Sequence, residues 1–264
     1  MKGLTVCLCV TLLVSTAGLA STLEMTFSAG PSAVSLSQVN TAITAFNVLI
    51  EHLNETFDAH PDVDGSVDSL DLMRSGLALR ASEAFRLVDW LAVGGHVEIL
   101  RSSTATRGVY SGAGESTIGI ALGISTIGLG VDAHVRFVDV GLQMGFDLGA
   151  SYYRTTFDRS VIFEIPEEYP DTLSSVPPAG DARYTASTLG LEFGLTIAYP
   201  VVSWLTVHSS ISYRAASTAG ALDSAGAALD LDGNGQSESL ALGGLAVRLG
   251  VSINIDLSMN GRKE

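Results

Sequence analysis

Cysteine is almost missing from this chain, and the two it has, Cys7 and Cys9, both fall within the first 20 residues. Lysine occurs only near the ends, as Lys2 and Lys263. Charged side chains make up 16 % of the chain, and no apolar run reaches the roughly 20 residues a spanning helix needs. Each shortage excludes something. Without thiols, the segment after residue 20 forms neither a disulfide nor a cysteine-ligated metal site. A net charge of −14 with so little lysine excludes nucleic acid, because phosphate binding needs clustered Lys and Arg.

What is present looks contradictory beside that acidity: 47 % apolar residues and a mean hydropathy of +0.36. The two agree if charge is concentrated in some segments and nearly absent from others. The N-terminus sets the compartment. Lys2 precedes a mostly apolar run, residues 4–14, and small residues lead to Gly18-Leu19-Ala20 before Ser21. This is the pattern of a secretory signal peptide over residues 1–20, with cleavage expected after Ala20.

After residue 68 the sequence settles into strict alternation, the signature of strands with two different faces. One apolar set is Leu77, Leu79, Ala81, Phe85, Leu87, and the next is Leu91, Val93, Val97, Ile99. A third runs Ile118, Ile120, Leu122, Ile124, shifts by one residue at Ser125-Thr126, and continues Ile127, Leu129, Val131, Ala133, Val135, Phe137. Such a shift predicts a β-bulge. Sets beginning at Val140, Leu189 and Leu205 follow, and the last shifts at Gly243-Gly244 between Leu242 and Leu245. The opposite faces are mostly Gly, Ala, Ser and Thr. They are too poor in charge for the wetted face of a soluble sheet, and fit a barrel with lipid outside and polar groups in its lumen.

Connections alternate in length. Turns at Val88-Asp89, Val138-Asp139 and 200–203 are short, while the segments 102–116, 158–186 and 216–238 read as long polar loops. Phe85, Trp90, Phe137, Tyr199 and Trp204 border the short turns. Tyr110, Tyr152, Tyr153, Phe157, Tyr184 and Tyr213 lie towards the long loops. Two aromatic girdles are predicted. Seven long strands would be odd, so TLEMTFSAG, residues 22–30, is assigned as a first strand pairing with the last. The expected fold is an all-β membrane protein: an eight-stranded antiparallel up-and-down transmembrane β-barrel over 21–264, both termini periplasmic.

On this pattern the chain resembles the eight-stranded outer-membrane barrels of diderm bacteria, the architecture of OmpA, OmpX and OmpW. The resemblance covers nearly the whole chain after the leader and rests on no diagnostic motif. It departs at the C-terminus, where INIDLSM and NGRKE stand in place of a terminal phenylalanine. It implies an integral outer-membrane protein, in contact with membrane lipid and lipopolysaccharide, and monomeric.

The first long connection differs. Leu36, Val39, Ile43, Phe46, Ile50 and Leu53 recur at three and four residues, predicting an amphipathic helix over 35–54 with Ser35 and Gln38 as a capping box. Its nearly uncharged polar face favours packing on the barrel as a lid or plug.

Three constellations are candidates for chemistry. Glu24, Arg80, His96, Glu98, Asp132, His134, Arg136, Asp147, Glu192, His208 and Arg248 all project into the lumen. Acid–base pairing is the expected way to fill a dry interior. The alternative is a zinc site built from His96, His134, His208 and a carboxylate. Second, His208 and Ser210 share a strand face and resemble the His-x-Ser pair of lipid A deacylases, which implies a lipid-modifying enzyme as the alternative to a non-enzymatic surface or structural role. A narrow gated pore is the third reading. Third, DLDGNGQSES places Asp230, Asp232 and Asn234 at positions 1, 3 and 5 of an EF-hand-like loop, with the Gln236 carbonyl at 7. The bidentate glutamate at 12 is replaced by Ala241, so Glu238 would have to complete the cage. The loop is either a turn stabilised by Asp and Asn or a weak calcium site. No other cofactor is expected, and the ligand of the external loops is open.

Overall fold

Alternation in the sequence becomes a closed ring. A computed structural model describes residues 22–59, 62–111, 116–164, 179–218, 220–231 and 239–257. The elements are β1 (Thr22–Ala33), α1 (Ser37–Asp58), β2 (Asp64–Ser66), β3 (Ser75–Val88), β4 (Leu91–Ser111), β5 (Ser116–Asp139), β6 (Gln143–Glu164), β7 (Gly180–Val202), β8 (Leu205–Ala216) and β9 (Gly244–Asp256). Neighbours pair antiparallel in the order β4-β3-β1-β9-β8-β7-β6-β5, and β5 pairs back onto β4. First and last strands meet as expected, with Leu23 opposite Ile255 and Phe27 opposite Val251. Eight strands therefore close the barrel with no edge left open in the ring. The three-residue β2 is an addition, hydrogen-bonded to Val109, Tyr110 and Ser111 at the far end of β4.

Strand lengths divide the ring. β1, β3, β8 and β9 have 12–14 residues, whereas β4 to β7 have 21–24. A tilted spanning strand needs about 9–11 residues. The long four thus rise well above the membrane as a curved wall. Residues 102–111, expected as loop, continue β4 instead, and 158–164 and 180–186 continue β6 and β7. Their polar residues misled the loop reading, because Ser103, Arg107, Asp158 and Arg183 stand on the outer, wetted face of the strands while Ser102 and Thr104 are buried inside.

The two apolar phase shifts have one explanation, and it is not a bulge. β5 pairs with β4 and β6 without interruption across 125–126. Its even-numbered residues face inward throughout. Above the step Ile118, Ile120, Leu122 and Ile124 are buried inside; below it Ile127, Leu129 and Val131 are more than half exposed on the outside. The apolar face changes sides at constant register, because above the membrane the outside is water and the inside is a protein core. At Gly243-Gly244 the same exchange occurs: Leu240 and Leu242 are buried, while Leu245, Val247 and Leu249 face out. Register irregularities do occur, at 86/88, 136/138 and 200/202, each beside a short turn.

The helix begins two residues later and ends four later than expected. Leu36 stands at its N-cap with no side-chain cap bond, so the Ser35/Gln38 box is not formed. Ser35 instead donates its backbone N–H to Gly243, and Gln38 Oε1 accepts from the Ser239 N–H. Val39, Ile43, Phe46, Ile50, Leu53 and Phe57 are buried against the inner face of the wall, among Leu100, Tyr110, Ile118, Ile120, Leu122 and Phe157. The helix lies neither deep in the lumen nor on the leaflet. It fills the concave side of the wall as a cap.

A second device holds it there. From Val67 to Met73 the chain runs as an extended strap, burying every third residue: Val67, Leu70 and Met73. Asn40, Asn47 and Asn54, spaced by seven on the helix, each grip one of these residues. Each amide nitrogen donates to the backbone carbonyl of Met73, Leu70 or Val67, and each amide oxygen accepts that residue's N–H, at 2.7–3.1 Å. Seven helical residues rise about 10.5 Å, close to the advance of three extended residues. The side-chain amides thereby satisfy strap backbone groups that no sheet neighbour reaches.

Candidate functional site

Below the cap, the lumen narrows onto charge. Three guanidinium groups, Arg80, Arg214 and Arg248, meet three carboxylates, Glu98, Asp132 and Glu192. Arg80 reaches Asp132 at 2.6 Å and Glu192 at 3.0 Å; Arg248 reaches Glu192 at 2.8 Å and Glu98 at 3.4 Å. Arg214 donates to Glu98 and lies over the ring of Tyr153 at 5.4 Å. Strands from opposite sides of the ring supply these groups, so the bonds run across the barrel rather than along it. Formal charges cancel, which is the condition for keeping ions in a dry interior.

His96 belongs to the same cluster. Its Nδ1 is 2.8 Å from Asp132 Oδ2 and its Nε2 is 2.8 Å from Ser151 Oγ. Asp132, His96 and Ser151 thus form an acid–imidazole–hydroxyl chain. Gly130 makes it possible: a Cβ there would lie 2.3 Å from Ser151 Oγ and 2.5 Å from His96 Cε1. Nucleophilic use of such a chain needs a substrate beside the hydroxyl. Ser151 is 3 % exposed and lines neither the lumen cavity nor its mouth.

Towards the short-turn end the remaining expected lumen residues pair locally. His134 Nδ1 contacts Asp147 at 2.7 Å, and Asp147 also accepts from Thr196. Glu24 lies 3.6 Å from Arg86, and Arg136 bonds Asp139 at 2.9 Å near the turn. His208 faces Ser252 at 3.4 Å, and no hydrogen bond joins it to Ser210 among the described residues. The three histidines therefore go to three different partners. No group of three metal-binding side chains is assembled among the described residues. Glu24, His134, Arg136, Asp147, His208 and Ser210 line an open-mouthed cavity of about 130 Å³ beneath the ionic cluster. Thr22, Arg86, Trp204 and Asn254 line its continuation at the mouth.

Sequence reasoning missed Arg214, Arg86 and Ser151 as partners in these contacts. Parity pointed to all three, since they share the inward phase of Arg80, His208 and Asp147 on their strands.

Of the acidic loop, Asp230 is described, while Asp232, Asn234, Gln236 and Glu238 lie outside the described residues. Its stem is fixed by Thr218 and Leu240, whose backbones bond at 3.0 Å. Nearby, Asp223 accepts the N–H groups of Ala225 and Ala227 as a side-chain-stabilised turn.

The outside of the ring completes the class. Outward residues from Leu91 to Ile99, Ile127 to Phe137, Phe146 to Tyr152 and Leu189 to Tyr199 form an apolar belt. Glu83, opposite Met25 and Gly95, interrupts the belt, and Arg154, opposite Ile127, stands at its upper edge. Trp90, Phe137, Tyr199 and Trp204 face outward at the short-turn rim. Of the aromatics expected at the upper rim, Tyr152 and Tyr213 do so. Tyr110, Tyr153, Phe157 and Tyr184 are buried inside, so the expected upper girdle is reduced to two of its members. Eight antiparallel strands closed around an ionic lumen, belted by aliphatic residues and carried by short turns at one end, define an eight-stranded outer-membrane β-barrel.

Among solved structures, the chain is similar to OprG of Pseudomonas aeruginosa (12 % identity, 90 % of this chain and 97 % of that chain, TM-score 0.39). It is similar also to Neisserial surface protein A (10 %, 90 % and 97 %, 0.45) and to a major outer membrane protein of Thermus thermophilus (10 %, 88 % and 99 %, 0.43). No family model and no curated protein matches the chain.

Proposed function

We propose that the protein is a non-conducting, non-enzymatic outer-membrane anchor that displays a folded acidic cap at the cell surface, in a structural or surface-interaction role. One observation carries this reading: two closures stand in series, the ionic cluster across the lumen and the apolar core under α1. A diffusion pore needs neither, and an eight-stranded lumen is filled by its own side chains. The signal peptide 1–20 delivers the chain, which sits as a monomer among outer-membrane lipid and lipopolysaccharide. Its external loops are rich in Asp and Glu, and Asp230, Asp232, Asn234, Gln236 and Glu238 hold calcium weakly, at the millimolar levels an extracellular module meets.

Planar-bilayer recording of the refolded full chain tests the anchor. Wild type is expected to give no regular single-channel steps, whereas steady, uniform conductance steps would replace the anchor with a pore. Calcium calorimetry on wild type and Asp230→Ala tests the loop, and identical flat traces would reduce it to a turn.

A further inference from the structure

In a chain of net charge −14, the location of the unpaired positive groups is informative. Arg80, Arg86, Arg136, Arg214 and Arg248 point inward against carboxylates. By contrast Arg101 and Arg107 on β4 and Arg154 on β6 are exposed on the outer face, and none has an ion-pair partner among the described residues. Between them β5 presents Gly119, Ala121, Gly123 and Ser125, with no acid.

Cross-strand register fixes how these groups meet. One row across β4, β5 and β6 reads Arg101, Ser125, Thr156; the row below reads Ile99, Ile127, Arg154. Adjacent strands are about 4.8 Å apart, so Arg101 and Arg154 flank Ser125 diagonally at a separation that two guanidinium groups can close over one phosphate. The nearest carboxylate on this face, Asp158, is already held by Arg183 Nε at 2.6 Å. A shallow open slot of about 330 Å³ runs here, lined by Arg101, Ser103, Gly123, Ser125 and Asp158.

The slot's height selects its occupant. Directly beneath are Ile99, Ile127, Leu129 and the outward Tyr152, the top of the apolar belt, where headgroups of the outer leaflet lie. Round the ring from Arg101, the outward residues at the same height are Leu77, its partner on β3, and then Pro31, Leu245 and Ala215, all uncharged.

We propose that the outer faces of β4 to β6 bind the phosphate of an anionic outer-leaflet lipid. Arg101 and Arg154 grip the phosphate, the hydroxyls of Ser103, Ser125 and Thr156 donate to it, and the acyl chains lie down over Ile99, Ile127 and Leu129. This rests on the barrel lying in an outer membrane and gives the expected lipid contact a defined site. Gly123 leaves room for the headgroup, since a Cβ there meets no atom within 4 Å.

Native mass spectrometry of the refolded full chain, titrated with a bis-phosphorylated lipid A and with its dephosphorylated form, tests the site. Wild type is expected to retain the phosphorylated lipid at least about tenfold better, the scale of one charge-assisted phosphate contact. Arg101→Gln/Arg154→Gln is expected to remove most of that preference. Gly123→Leu, which fills open space without touching the fold, is expected to weaken retention independently. Equal retention of both lipids, variants that bind like wild type, or displacement by millimolar inorganic phosphate would each overturn the site. Heat-dependent gel mobility is read on every sample. Its absence in wild type would indict the barrel reading rather than the slot, and its absence in the double variant leaves Gly123→Leu to decide.

Discussion

The two halves of β5 are opposites. Below the step at 125–126, aliphatic residues face out and Asp132, His134 and Arg136 face in; above it Gly119, Ala121 and Gly123 face out and Ile118, Ile120, Leu122 and Ile124 face in. The backbone pairing is the same in both. What differs is the solvent. A strand has no preferred side of its own, and the medium on each side decides which face carries the apolar set. The lower half is held by lipid outside and ion pairs inside, the upper half by a core of the kind soluble proteins have.

That contrast can be broken at several points. The largest effect is expected from Glu98→Ala, which strands Arg214 in the lumen, leaves Arg248 with Glu192 alone, and should cost about 3–5 kcal/mol, read as the urea midpoint of the refolded barrel. Little change would mean that the ionic cluster is not what closes the lower half. Next comes a matched pair on one outer face. Leu129→Arg puts a charge into the belt and should lose about 2–4 kcal/mol, whereas Ala121→Arg, eight residues higher, should stay within about 0.5 kcal/mol. Equal losses at both would place the two halves in the same medium.

A smaller effect belongs to the cap. Asn47→Ala leaves the Leu70 N–H and carbonyl without their partner and should cost about 1–3 kcal/mol, confined to the upper half. Hydrogen exchange should speed up in α1 and the strap while the heat-dependent mobility of the barrel is retained. Smallest is a pH effect. Burial and the neighbouring Asp58 carboxylate push the Tyr110 phenol up to about 12, and its hydroxyl bonds to Asn54. The folded cap keeps this proton where the unfolded chain gives it up. Its contribution is therefore complete below about pH 10 and is lost as pH rises towards 12, a loss that Tyr110→Phe should abolish in alkaline unfolding of the cap.

Much of the lower half was legible because strict alternation, short turns and the pairing of TLEMTFSAG with the last strand leave few alternatives. The upper half was misread for a physical reason. Period two tells which residues share a face, and says nothing about which face is wet. Ile118 to Ile124 and Ile127 to Phe137 therefore looked like one lipid face broken by a bulge, when they are two faces of an unbroken strand. The same ambiguity placed Tyr110, Phe157 and Tyr184 in a girdle. Asn40, Asn47 and Asn54 lie seven residues apart, but their partners are backbone groups of the strap, which no side-chain pattern records. The meeting of Arg214 with Glu98 was hidden differently, since parity gives the direction of a side chain and only closure of the ring gives its neighbour across the lumen.

The three asparagines have a consequence for how the two halves are joined. Residues 118–124 turn inward an apolar face that α1 covers, and the amides of α1 fasten it to a strap that leads directly into β3. The same chain thus brings its own cover for the part of the wall that lipid does not reach.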